Sequence, residues 1–374
     1  MTSLLPLLAV AVMTGLSGCY YGHLAAGQTR LLWASRSIEA VLEDPETSDP
    51  LRARLVLVRA ATRFADELGL EVGGQYSSYV AFPGDRVITT VVATRPGELE
   101  PAGFSFPLLG RLPYKGFFEL ERAESQADKL RKRGLDVCLS AVTAYSTLGW
   151  LNDPITEPML QTSDGRLVET IVHELVHATV YAKNEPEFNE SIATFIGQEA
   201  SVAFFREPRP GTPAPAGPDS QRPRSAEAKT LAEAERARVQ DARLVARVLG
   251  QFRRDVASLY ASHSEEPEEP EAAAGASAAK RSLERVALEK RVRSRLAQLP
   301  LEGASREDAV RLAERVRLND ACLALQATYG DDLDRHGEVL AALGGDLAAL
   351  IAQLRAAALS DDPRGNFFGL TTDP

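Results

Sequence analysis

The chain has 374 residues, 44% of them hydrophobic and 25% charged, enough apolar material for one large core or two smaller ones. Forty-two lysines and arginines against 52 aspartates and glutamates leave a formal charge of −10, which argues against a nucleic-acid binder with its basic face. Three cysteines exclude a disulfide-stapled fold, and no apolar run of 18 residues is present to form an ordinary membrane-spanning helix.

Residues 4–16 form an apolar stretch, too short for a bilayer and suited to the centre of a signal peptide. It ends in Leu16-Ser17-Gly18-Cys19, small residues followed by a cysteine. This resembles the lipobox of bacterial lipoproteins, in which the thiol is lipidated and the cysteine becomes the new N-terminus. Residues 1–6 contain no Lys or Arg, so the α-amino group alone supplies the positive charge of the segment. Residue 20 is Tyr rather than the Asp that retains some lipoproteins in the inner membrane. The expectation is a lipid anchor on Cys19, holding the body to the outer membrane on its periplasmic side. The competing reading is a plain secretion signal with a chance cysteine.

Beyond the anchor, residues 29–43 place Leu31, Leu32, Trp33, Ile38, Val41 and Leu42 at helical spacing, closed by Pro45. Residues 51–68 repeat the pattern, with Gly69 as the C-cap. Segments 76–80 and 87–93 read as strands joined by a turn at Pro83-Gly84-Asp85. Residues 101–118 read as an ordered loop, 125–133 as a helix stopped at Gly134, and 137–145 as a strand. Residues 208–223 are Pro-rich and 265–271 almost pure Glu and Pro, the composition of solvated linkers. Helices are expected over 226–262, 278–298, 310–329 and 338–358. The resulting organisation is a signal peptide (1–18), an α+β body (19–205), a variable insert (206–279) and a helical C-terminal region packing on the body (280–374).

The chemistry concentrates at His173-Glu174-Leu175-Val176-His177. Residues 169–181 lack Pro and Gly, so the stretch is helical, and residues four apart on a helix point both imidazoles at one spot. Glu174 projects beside that spot, where a carboxylate can take a proton from a metal-bound water. With 5 histidines and 32 glutamates in the chain, chance supplies only about 0.006 such matches. A catalytic zinc needs a third ligand. A third histidine of the usual spacing is excluded, because positions 180 and 183 are Val180 and Lys183. Asn184-Glu185-Pro186 breaks the helix, and on the next one Glu190, Ala193, Thr194 and Gly197 share a face of otherwise small side chains. Such a stripe lets two helices approach closely, and its one long member, Glu190, reaches the metal. Glu185, Glu187 and Glu199 are competitors with less favourable placement.

These residues, with Asn189-Glu190-Ser191-Ile192-Ala193, resemble the gluzincin branch of zinc metallopeptidases. Together with Leu16 to Cys19, Pro113-Tyr114-Lys115-Gly116-Phe117-Phe118, and Ala144-Tyr145-Ser146-Thr147-Leu148-Gly149-Trp150, they resemble the bacterial putative aminopeptidase family of lipoproteins. A weaker match runs from Leu318-Asn319-Asp320-Ala321 to Tyr329. The resemblance implies a Zn²⁺-dependent peptidase on a mainly helical, zincin-like (thermolysin-like) core with a small antiparallel sheet, acting on a peptide substrate. It also implies a Tyr or His that donates to the developing oxyanion; Tyr145 is the candidate, with Tyr76 and Tyr329 as competitors. Glu169 reads either as an acceptor orienting an imidazole or as part of a solvated helix face. His263 and His336 read as surface residues, Trp33 and Trp150 as packing residues, and Cys138 and Cys322 as small core residues. Two further functions remain open: a zinc amide hydrolase acting on cell-wall peptides, and a non-catalytic envelope assembly lipoprotein.

Overall fold

The computed structural model describes residues 20–106, 110–144, 152–207, 209, 224–264, 271–326 and 332–369. Cys19, Tyr145, Trp150, Tyr329 and the two linkers, apart from Arg209 and Glu271, lie outside them. The described residues begin with α1 (Tyr20–Trp33), β1 (Arg36–Ser37), α2 (Ile38–Glu43) and α3 (Asp49–Glu67). The single helix expected over 29–43 is broken, because residues 36 and 37 pair antiparallel with β2 (Ser78–Val80). Ser37 then caps α2, its hydroxyl accepting the Ala40 N–H at 3.1 Å. Tertiary pairing here overrides the local period. Trp33, expected to pack, stands 88% exposed at the end of α1. Helix α3 follows its sequence pattern, burying Leu55, Val58, Ala61, Phe64 and Ala65.

After β2 come β3 (Ile88–Thr94), β4 (Phe104–Phe106), β5 (Gly110–Leu112), β6 (Tyr114–Phe117), α4 (Leu120–Arg131), β7 (Asp136–Val142), β8 (Ile155–Thr156) and α5 (Glu157–Leu160). The turn at residues 83–85 does not close a hairpin. It carries the chain from one sheet, ordered β1-β2-β8, into another, ordered β6-β3-β7. The expected loop at 101–118 holds three short strands, one of which, β6, pairs with β3 through Thr89 to Phe117 and Val92 to Tyr114. Strands this short show too little alternation to be read from sequence.

Two helices then form the centre, α6 (Asp164–Thr179) and α7 (Pro186–Phe204). Leu167, Val168, Ile171, Val172, Leu175 and Val176 of α6 pack with Phe188, Ile192, Phe195 and Ile196 of α7 in the main core, which α3 and the C-terminal helices enclose. The remainder is α8 (Arg224–Ser264), α9 (Glu271–Ala297), α10 (Arg306–Arg315), α11 (Asp320–Gln326), α12 (Leu333–Ala342), α13 (Leu347–Ala358) and α14 (Pro363–Phe368). The helices expected over 310–329 and 338–358 are each split in two. Gly344 and Gly345, at φ +70° and +80°, make the second break, a conformation other residues adopt at a cost. Helices α8 and α9 pair through Val248, Phe252 and Val256 against Val292 and Leu296. The architecture is α+β and mainly helical, and no single described helix is long and apolar enough to cross a membrane.

Two side-chain expectations are corrected. Cys138 on β7 and Cys322 on α11 form a disulfide, with Cα atoms 5.0 Å apart, across 184 residues of sequence. His336 is wholly buried, not on the surface: its Nε2 lies 3.0 Å from Ser191 Oγ, and Phe188, Phe195, Phe367 and Phe368 surround the ring. Burial holds its pKa down at about 3, outweighing the pull of Asp332. Between about pH 6.5 and 3 the unfolded chain therefore binds a proton that the folded chain refuses. Stability should rise with pH across that window and be lost as pH falls through it. Urea unfolding at pH 7 and 4.5 should show a smaller acid loss in His336→Gln than in the wild type; equal losses would contradict this burial argument.

Candidate metal centre

Helix α6 is started by Ser163, whose hydroxyl accepts the Arg166 N–H at 3.3 Å, and runs through the two histidines without interruption. It ends at Val180 in extended backbone, and Asn184, at φ +63°, turns the chain into Pro186 at the start of α7. The Asn189 side chain locks this junction. Its Oδ1 accepts the Ala182 N–H at 2.9 Å, and its Nδ2 donates to the Ala182 carbonyl at 2.8 Å. The start of α7 is therefore tied to the connector that leaves α6, one residue before Glu190.

They also approach closely. A Cβ at Gly197 would sit 2.7 Å from the Glu169 carbonyl and 3.4 Å from His173 Cβ, so the small-residue stripe is a steric requirement. Across this contact, the Nε2 atoms of His173 and His177 lie 3.1 Å apart. Glu190 places Oε2 3.6 Å from His173 Nε2 and Oε1 3.5 Å from His177 Nε2. Two imidazoles and one carboxylate offer ligand atoms within 4.8 Å of one another, at the edge of the buried core. A tetrahedral zinc site with bonds of about 2.0–2.1 Å has ligand-to-ligand edges of about 3.3–3.4 Å, so this donor set fits such an ion. Of the competing carboxylates, Glu199 is paired with Arg243 at 2.8 Å, and Glu185 and Glu187 stay at the helix start, outside the cluster.

The electrostatics match a cation site. Burial alone would lower the His173 pKa, but the hydrogen bond to Glu190 and the charges of Glu174, Glu190 and Glu169 outweigh it and raise it. Burial pushes the Glu190 carboxyl up, and the two histidines overcome this and pull it down to about 2. Glu174, half-buried on α6 next to His173, is one of the negative charges that raise the His173 pKa.

The surroundings combine residues already noted in the sequence, Thr194, Glu169 and Tyr76, with three that it did not single out, Ser201, Glu235 and Arg238. Thr194 Oγ1 lies 3.5 Å from Nδ1 of His173, where it can set which nitrogen faces the centre. Glu169 serves neither as that acceptor nor as a solvated residue. It is 5% exposed and paired with Arg166 and with Arg238 of α8. Arg238 also binds Glu235, which accepts from Ser201 of α7, so α8 braces both helices through buried charge. Tyr76 is buried with a left-handed backbone at φ +55°, its N–H bonded to the Asp153 carbonyl at 2.9 Å. Burial lifts its pKa well above the usual value, and the charges of Glu174 and Asp153 lift it further. Of the three tyrosines offered as oxyanion donors, Tyr76 is the one among the described residues.

A family model described as "Putative aminopeptidase" matches residues 19–366. Neither the curated proteins nor the solved structures contain a match to the chain.

Proposed function

Because the chain belongs to the putative aminopeptidase family, we propose that it is a zinc-dependent peptidase, an aminopeptidase that cleaves peptide bonds with metal-activated water. The observation that carries this reading is the convergence of His173, His177 and Glu190, with Glu174 one residue from the first of them. The three would hold the ion, on a zincin-like arrangement of metal helix followed by glutamate helix. When bound, zinc would supply an acidified water, of pKa about 7, and a Lewis acid for the substrate carbonyl. Glu174 takes the proton of the attacking water and returns it to the leaving amine, the ordinary work of a general acid–base. Thr194 keeps the His173 ring in one orientation, and Asn189 keeps Glu190 facing the imidazoles. Tyr145 or Tyr76 donates to the oxygen that becomes negative, since a phenol carries its proton at neutral pH.

The same proposal places the protein in the bacterial envelope, lipid-anchored through Cys19 in the outer membrane and facing the periplasm. The Cys138–Cys322 disulfide supports an oxidising compartment, and of the chain's three cysteines it leaves Cys19. Cys19→Ser should shift the protein to the soluble fraction or leave its signal uncleaved, since only a thiol accepts the diacylglyceryl group. A cleaved, mature variant still in the membrane fraction would contradict the anchor. Peptide-library digestion with N-terminal profiling tests the activity itself. Stepwise loss of N-terminal residues supports the aminopeptidase, internal cleavage shifts the reading to an endopeptidase, and no cleavage by zinc-loaded protein overturns it.

A further inference from the structure

We infer that α1 lies flat on the membrane surface, where Arg30 and Trp33 enter the headgroup layer and seat the body against the bilayer without a flexible tether. The inference rests on the Cys19 anchor proposed above and names the surface that this anchor brings into contact with lipid.

The helix starts at Tyr20, the residue after that cysteine, and is docked on the body from there onward. The Tyr20 hydroxyl donates to the Gly116 carbonyl at 3.0 Å, and its ring packs 5.6 Å from Phe106 and from Phe117. Nearly one turn on, buried His23 accepts the Phe118 N–H at 3.0 Å. A Cβ at Gly27 would collide with the Phe118 ring, and Leu31, 1% exposed, packs with Val80 and Val87. Contacts at positions 20, 23, 27 and 31 hold one side of the helix along its whole length. Acyl chains on residue 19 therefore join the fold with no linker between them.

The other side carries a different set of residues. Ala26, Thr29, Arg30 and Trp33 are exposed and recur at the three- and four-residue spacing of one helix stripe. Trp33, 88% exposed, is the most exposed aromatic side chain among the described residues. Indole rings favour the boundary between headgroups and acyl chains, and an arginine stem can lie in that boundary while its charge stays wet. Charge points the same way. The chain carries −10 overall, yet residues 20–38 contain no Asp or Glu, and Arg30 is the cation of the exposed stripe. Where the helix begins, the Lys115 ammonium stands 4.1 Å from the centroid of the Tyr20 ring, beside the point of attachment. An acidic body meets anionic lipid most favourably through such a face. The 14 residues of α1 extend about 21 Å, short of the ~30 Å hydrocarbon core, so the helix lies on the bilayer and does not cross it.

Quenching of Trp33 by bromine-labelled lipid tests this. Protein purified from membranes is reconstituted into vesicles of phosphatidylethanolamine and phosphatidylglycerol, with and without bromine on the upper acyl carbons. The chain has two tryptophans, so the difference between the wild type and Trp33→Phe reports Trp33 alone. Bromine should quench that difference signal, and aqueous acrylamide should reach it poorly. Arg30→Glu should weaken the bromine effect while the protein still floats with the vesicles; an undiminished effect would remove Arg30 from the seat. Trp33 emission that bromine leaves unchanged, in protein that floats, would overturn the seating and leave the Cys19 anchor standing. A ring shielded from bromine and acrylamide alike would put another protein on this face and overturn the seating too. Protein that does not float with the vesicles would overturn the anchor and the seating together.

Discussion

Glu174→Gln should retain one zinc per chain while peptide hydrolysis falls by about 10²–10⁴-fold, the usual contribution of a general base. The amide keeps the shape of the side chain and its hydrogen bonds but cannot take a proton. Glu174 is absent from the three-residue cluster, so the ion should not depend on it. Metal analysis and turnover, measured on the same preparation, separate the two properties. Loss of zinc in this variant would mean that the carboxylate is a ligand. Unchanged turnover would mean that α6 does not carry the chemistry.

Glu190→Gln and His177→Ala should behave in the opposite way, losing metal affinity and activity together. His177 is 8% exposed and Glu190 lies between two imidazoles, so each supplies one of three converging donors. A neutral amide is a weak zinc ligand, and two remaining donors hold the ion poorly. The Glu190 variant has a second consequence. Its carboxylate is the largest of the influences that raise the His173 pKa against burial, so without it the imidazole loses its main partner. Equilibrium dialysis against zinc should show weakening of at least tenfold for Glu190→Gln and near-complete loss for His177→Ala. Retention of full affinity by either would remove that residue from the site.

The parts of this centre that sequence could reveal are those set by local geometry. Four-residue spacing on an uninterrupted helix brings His173 and His177 together, and the small stripe at Ala193, Thr194 and Gly197 points Glu190 at them. What sequence could not reveal arrives from a distance. Arg238 reaches Glu169 across 69 residues, and Cys138 finds Cys322 across 184, neither leaving a pattern in its own neighbourhood. The short strand β6 pairs with β3, a pairing its four residues do not announce. His336 sat in an unremarkable stretch, yet four phenylalanines from two other elements close around it. The break between α12 and α13 was legible in principle: Gly344-Gly345 interrupts an apolar period that otherwise runs on.

Metal analysis of the wild-type protein, purified without chelators, tests the central claim most directly. Zinc should be present at one equivalent per chain, removed by chelation together with activity and restored with it on reloading. Protein that is folded and active yet contains no stoichiometric metal would contradict it.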